Sequence, residues 1–117
     1  MRKSANGITS LFLNSQFKRL YQRGVSSVTP SVVLYAKGNG LAQNRVGITV
    51  SKKIGKAVVR NRSKRRLREV YRLNIDRLKC GFDFVMVARG RTANVPFSKL
   101  SADFLNAAKE LGVIKDE

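Results

Sequence analysis

"SKKIGKAVVRNRSKRRLREVYR" spans Ser51 to Arg72, and ten of its 22 residues are Lys or Arg. Glu69 is the single acid among them. From about Ala57 the apolar residues fall at helical spacing. Leu67, Val70, Tyr71, Ile75 and Leu78 make one stripe, which predicts a helix from about Ala57 to Lys79, stopped by Cys80-Gly81. At about 100° per residue, Arg62, Arg65, Arg66, Glu69 and Arg72 fall broadly opposite the stripe, while Arg60 and Lys64 lie nearer to it. One face builds a core and the other presents cations.

That arrangement opposes stability. Arg–Arg neighbours at i,i+3 and i,i+4 repel by a few tenths of a kcal/mol each. Positive charge at a helix N-terminus, here Lys52, Lys53 and Lys56 followed by Arg60, also opposes the macrodipole. A solvated charged face is the ordinary meaning of a charge run, but it does not repay these penalties. A nucleic acid does, because counterion release rewards dense cations. Asn61 between two arginines has two readings, a cap for the helix or an amide that donates and accepts at a base edge, a sugar or a metal-bound water.

Outward from the helix the pattern changes to period two. Arg45–Lys53 puts Val46, Ile48 and Val50 on one face and Gly47, Thr49, Ser51 and Lys53 on the other. Ser31–Lys37 alternates Val32, Leu34 and Ala36 against Val33, Tyr35 and Lys37. These segments read as neighbouring antiparallel strands with one side on the core. Val25–Thr29 reads as a short strand before Pro30. Phe82–Ala88 (FDFVMVA) is nearly continuous apolar and reads as an interior strand. Two further helices flank this set. One starts at Asn14 or Ser15 and runs to about Arg23, with Leu13, Phe17, Leu20, Tyr21 and Gly24 at helical spacing. The other follows Pro96, with Leu100, Phe104, Leu105, Ala108 and Leu111 facing in. The order is αβββαβα, an α+β domain.

With 117 residues the chain suits one domain, residues 1–117, and residues 1–10 read as a loose N-terminal extension. Its 24 Lys and Arg against 7 Asp and Glu give a net charge of +17, which calls for a polyanionic partner. No stretch approaches the roughly 20 apolar residues of a membrane span. Ile8–Leu13 is too short for a secretory signal, and the lone Cys80 makes no internal disulfide, so a cytoplasmic location without membrane association is expected. Cys80 itself reads as a small buried hydrophobe.

The chemistry of a self-sufficient nuclease is missing. There is no His, and the seven acids show neither metal-ligand spacing nor a nucleophile–base arrangement, so no catalytic and no metal-binding residue is assigned. Asp83, on an apolar strand, reads as a partner for an Arg. The aromatics suggest binding instead. Tyr35, Val33, Lys37, Thr49 and Ser51 on a sheet face, walled by Phe17 and Tyr21, make a platform where bases stack and cations follow phosphates. Ordinary core packing of Phe17 and Tyr21 is the other reading, and spacing alone does not separate the two.

The stretch "VSKKIGKAVVRNRSKRRLRE" (Val50–Glu69) resembles the signature of the bacterial ribonuclease P protein subunit. The Arg60-Asn61-Arg62 centre, Gly55, Lys64, Arg65 and Arg68 carry the match. Phe17, Tyr21 and Gly24, "VVLY" at Val32–Tyr35, "RVGITVSKK" at Arg45–Lys53 and Asp83 through Arg89 extend it, over roughly Leu11 to Leu111. Tyr21 where Phe is common and Lys56 where Asn is frequent are mild departures.

The resemblance implies a two-layer αβββαβα sandwich like the second domain of a small-subunit ribosomal protein, with a left-handed βαβ crossover. It implies a subunit of an RNA-based endoribonuclease that removes the 5′ leader of precursor tRNA. The partner catalytic RNA holds the Mg²⁺ and does the chemistry, and the protein binds no ion firmly and is a monomer within the holoenzyme. Lys52, Lys53, Lys56, Arg60, Asn61, Arg62, Lys64, Arg65, Arg66, Arg68 and Arg72 are then expected to hold the catalytic RNA, and Phe17, Tyr21, Val33, Tyr35, Lys37, Thr49 and Ser51 the leader. Three rival readings are a structural ribosomal protein, a helix-turn-helix regulator and an autonomous nuclease. The Arg60–Arg62 signature and the aromatic face argue against the first, the helix between strands against the second, and the missing site against the third.

Overall fold

The computed structural model describes residues 2–3, 9–10 and 14–115. Its elements, in chain order, are β1 (Arg2–Lys3), β2 (Thr9–Ser10), α1 (Asn14–Arg23), β3 (Val25–Val28), β4 (Val32–Gly38), β5 (Arg45–Thr49), α2 (Ala57–Asn74), β6 (Phe82–Ala88) and α3 (Phe97–Glu110). The strands form one mixed sheet in the order β1-β2-β5-β6-β4-β3. Leu13 of the expected first helix lies outside the described residues, as does most of the N-terminal ten. Within that ten, Arg2–Lys3 pairs with Thr9–Ser10, and Ser10 lies beside Val46 of β5.

β6 occupies the middle of the sheet. Its apolar run FDFVMVA needs cover on both faces: Phe84 and Met86 pack in the core with α2 and α3, and Val85 and Val87 lie with Leu20 of α1 on the other side. It pairs antiparallel with β4 and parallel with β5. This corrects one expectation: β4 and β5 are antiparallel in direction but not neighbours, since β6 lies between them. Alternation reports which face of a strand is buried, not which strand lies beside it. β5 also ends at Thr49, short of the expected Lys53, because Lys52–Ile54 turns as a 3₁₀ segment. α2 likewise ends at Asn74, with Ile75–Arg77 continuing as 3₁₀ turn.

The sandwich is the sheet against α2 and α3. Val32, Leu34, Ala36, Phe84 and Met86 meet Leu67, Val70 and Tyr71 of α2 and Leu100, Phe104 and Ala108 of α3. Each large side chain buried here stabilises the fold by ~1.5–3 kcal/mol relative to exposure. α1 covers part of the opposite face, where Leu20 packs on Val85 with Phe17, Tyr35 and Val87 around them. Gly24 permits that approach: a Cβ there would stand 2.6 Å from the Leu20 carbonyl oxygen and 2.9 Å from that of Ala36. Cys80, expected in the core, is exposed, because the chain has already left α2 and turns at Gly81 (φ 91°) into β6. No helix among the described residues is long and apolar enough to cross a membrane.

Candidate nucleic-acid interface

The strand register lays the open sheet face out as three rows. Val33, Val87 and Thr49 form the first, Tyr35, Val85 and Gly47 the second, and Lys37, Asp83 and Arg45 the third. α1 crosses above the second row. From it Tyr21 reaches both walls of the groove. Its ring meets Tyr35 edge-on, with centroids 4.9 Å apart and planes at 79°, and its hydroxyl shares a hydrogen bond of 3.1 Å with Thr49 Oγ1. Tyr21 is 42% exposed, so nearly half of its surface is free for a ligand. Phe17 is half-buried against Leu20 and Val85, which makes packing its main role. Val33, Tyr35, Lys37 and Thr49 are half-buried and Ser51 is exposed.

The third row is closed by ions. Arg45 Nε and Nη2 donate to the two carboxylate oxygens of Asp83, each at 2.7 Å, and Asn39 Nδ2 adds a third bond at 3.0 Å. The expected Arg partner of Asp83 is therefore Arg45. The bidentate bond raises the Arg45 guanidinium pKa over the opposing effect of burial. The pair anchors the loop after β4 at the groove's end.

α2 begins beside β5 through a glycine-dependent turn. Gly55 has φ 148°, outside the range of L side chains, and a Cβ there would press Val59 at 3.3 Å. The helix N-cap is Lys56, with no side-chain cap and no acid in the first turn. Asn61 is exposed in the helix interior, so capping is excluded as its role. Asn61, Lys64, Arg65 and Arg68 point outward, and none of the cations Lys52, Lys53, Lys56, Lys64, Arg65 and Arg68 has an ion-pair partner among the described residues. Arg60 is half-buried, and its Nε has no hydrogen-bond partner among the described residues.

Three arginines are already engaged. Arg72 is tied to Glu69 by two bonds of 2.7 and 2.8 Å, which hold the Glu69 carboxyl below its usual pKa. Arg62 Nε donates to Ala93 O at 2.8 Å. Arg66 donates to Thr92 O at 2.8 Å and to Val95 O, and its guanidinium lies 6.0 Å from the Phe97 ring centroid. Burial lowers the Arg66 pKa, and the Arg62 charge lowers it further. Arg62, which stays exposed, and half-buried Arg66 thus clamp the loop between β6 and α3 instead of standing free on the outward face. Thr92 Oγ1 fastens the same loop to Ser31 O at 2.5 Å. The clamp escaped sequence reading because its acceptors are backbone carbonyls, which no side-chain pattern reports. The sequence reading also passed over Lys18, Arg19 and Arg23 on α1, although their spacing and the absence of acids in that helix were a usable signal. Among the described residues no group of three or more His, Cys, Asp or Glu could hold a metal ion.

Groove and helix together define a class: small α+β sandwiches whose open sheet face lies under one helix and beside a second, cationic one. The chain belongs to the ribonuclease P protein component family, whose model, described as Ribonuclease P, matches residues 8–112. The ribonuclease P protein component of Natranaerobius thermophilus is 42% identical over 103 residues, covering 88% of this chain and 90% of that one. That of Caldanaerobacter subterraneus subsp. tengcongensis is 41% identical over 110 residues, covering 94% and 95%. Among solved structures, a Staphylococcus aureus RNase P protein superposes with a TM-score of 0.80 at 28% identity, covering 91% of this chain and 97% of that one. The Thermotoga maritima RNase P protein gives 0.75 at 33%, covering 83% and 92%.

Proposed function

We propose that this protein is the RNA-binding subunit of a ribonuclease P ribonucleoprotein that cleaves the 5′ leader from precursor tRNA. The single-stranded leader lies in the groove under α1, with bases against Tyr21 and Tyr35 and a sugar or phosphate near Thr49, Ser51 and Lys37. The catalytic RNA docks on Lys52, Lys53, Lys56, Arg60, Asn61, Lys64, Arg65 and Arg68. Arg62, Arg66 and Arg72 border that surface and also serve the protein's own structure. The RNA holds the Mg²⁺ ions and supplies the chemistry, and one protein acts in the cytoplasm as a monomer within the particle.

The observation that carries this reading is the Tyr21–Tyr35–Thr49 constellation, an accessible aromatic pair with a polar edge beside a cationic helix. The test is Tyr35→Ala in the reconstituted holoenzyme. Loss of a stacked base costs ~1–3 kcal/mol of substrate affinity. That loss is expected with precursor tRNA carrying a leader of several nucleotides and not with mature tRNA, while assembly with the catalytic RNA is unchanged. A loss independent of leader length removes the leader from this groove.

A further inference from the structure

The outward face of α1 carries a second cationic surface. Ser15, Lys18, Arg19, Gln22 and Arg23 recur at intervals of three and four residues, so they line one side of the helix. With Lys37 of β4 they enclose an open groove of about 350 Å³. Four of the six lining residues are cationic and none is acidic. α1 has no acid anywhere along Asn14–Arg23 to offset them. As on α2, neighbouring cations within one turn repel, and folding alone gains nothing from the arrangement.

The groove is continuous with the aromatic one. Lys37 belongs to both, two residues from Tyr35 on the same strand face. Lys18 and Gln22 flank Tyr21 on the same helix, at i−3 and i+1. A strand stacked on Tyr21 and Tyr35 therefore meets these cations next if it continues past the helix. Arg19 and Arg23 are one turn apart, about 6 Å along the axis, which suits successive contacts to one backbone. The groove offers cations and two neutral polar side chains but no ring, so it fits phosphates and not bases.

We propose that this groove is a second single-strand subsite, in which Lys18, Arg19 and Arg23 take the phosphates of leader nucleotides beyond those held by Tyr21 and Tyr35. The inference rests on the leader reading given above, and the test separates the two. The variant is Lys18→Gln/Arg19→Gln/Arg23→Gln, with Lys37 kept because it also belongs to the aromatic groove. All three replaced residues are exposed, so the fold is retained, which a melting curve verifies. Affinity of each holoenzyme is measured for mature tRNA and for precursors with leaders of roughly four to sixteen nucleotides, the span of single-strand sites.

The expected result is unchanged affinity for mature tRNA and short leaders, with roughly a tenfold loss on long ones. On long leaders the log–log salt slope should also fall by about 2, at ~0.7 per contact. The variant Lys18→Arg/Arg19→Lys/Arg23→Lys should restore the affinity, since charge is what the phosphates read. Wild-type affinity at every leader length in the Gln variant overturns the inference. So does an equal loss on mature tRNA, which would assign the groove to another RNA surface and leave a leader-dependent Tyr35→Ala effect standing. If neither wild type nor Tyr35→Ala responds to leader length, the leader reading falls and this subsite falls with it.

Discussion

Arg66 and Arg65 are adjacent in sequence, equal in charge and set by α2 into different work. Arg66 is half-buried and donates to two loop carbonyls, at Thr92 and Val95, beside the Phe97 ring. Hydrogen bonds from a charged donor are worth ~1.5–3 kcal/mol each. Partial exposure reduces that sum, and after truncation water satisfies part of what the carbonyls lose. We therefore expect Arg66→Ala to cost ~2–3 kcal/mol in total. In a domain of this size one kcal/mol moves Tm by roughly 4 °C, so the variant should melt roughly 8–12 °C below wild type. Arg66→Lys keeps the charge, but its flexible ammonium lacks the fork that spans two carbonyls, so about half the loss should remain. Arg65 points outward and has no ion-pair partner among the described residues. Arg65→Ala should change stability by no more than about 0.5 kcal/mol. It should weaken assembly with the catalytic RNA for every substrate, reducing the salt slope by ~0.7–0.9. Thermal melting of the free protein and salt-dependent titration of the RNA read the two effects separately. An Arg66→Ala protein that melts with wild type, or an Arg65→Ala protein that loses as much as Arg66→Ala, refutes the division of the helix into clamp and contact faces.

Gly24→Ala should destabilise by ~1–3 kcal/mol, seen in urea unfolding, because the new methyl meets two backbone oxygens that α1 and β4 cannot both move. Asp83→Asn removes the charge facing Arg45 in a part-buried pair and should cost ~3 kcal/mol while leaving single-turnover cleavage at saturating protein unchanged; a thousandfold slower chemical step in a folded, bound complex would place a catalytic group on the protein. Burial raises the pKa of Asp103, but hydrogen bonds from Ser31 at 2.7 Å and from Lys99 outweigh it and hold the carboxyl below its usual value. The stability it contributes is complete above the unfolded pKa of about 4 and is lost as pH falls through the lower folded value. Unfolding free energy should thus decline below about pH 4, and Asp103→Asn should flatten that decline. Millimolar sulfate or pyrophosphate should raise Tm more than chloride at equal ionic strength, because multivalent anions bridge clustered cations; equal shifts would indicate screening alone.

Much of the fold is written in two periods. The 3.6-residue stripe of Leu67, Val70 and Tyr71 and the two-residue alternation of Val32–Lys37 specify buried faces, and those faces are buried as read. The central place of β6 follows from its apolar run on both faces. What alternation does not encode is adjacency, so the insertion of β6 between β4 and β5 had to come from the structure. The groove was half legible. Strand parity put Tyr35, Lys37 and Thr49 on one face, but the orientation of Tyr21 across that face depends on the approach of α1 at Gly24, a backbone contact with no side-chain signal. The same limit hid the roles of Arg62 and Arg66, whose partners are carbonyls of the loop at Thr92–Val95. Cys80 is exposed, not buried as its residue type suggests, because Leu78 is the last buried residue before the chain turns outward at Lys79.

Reconstitution with RNA shows whether this protein works as a subunit of an RNA enzyme. The protein is added to a bacterial ribonuclease P RNA and a precursor tRNA at low Mg²⁺, and 5′-leader removal is compared with RNA alone and with protein alone. Rapid cleavage at the mature 5′ end is expected with both components, slow cleavage by RNA alone and none by the protein. Cleavage by the protein without RNA, or a rate with both components equal to that of RNA alone, would refute a role as the RNA-binding subunit.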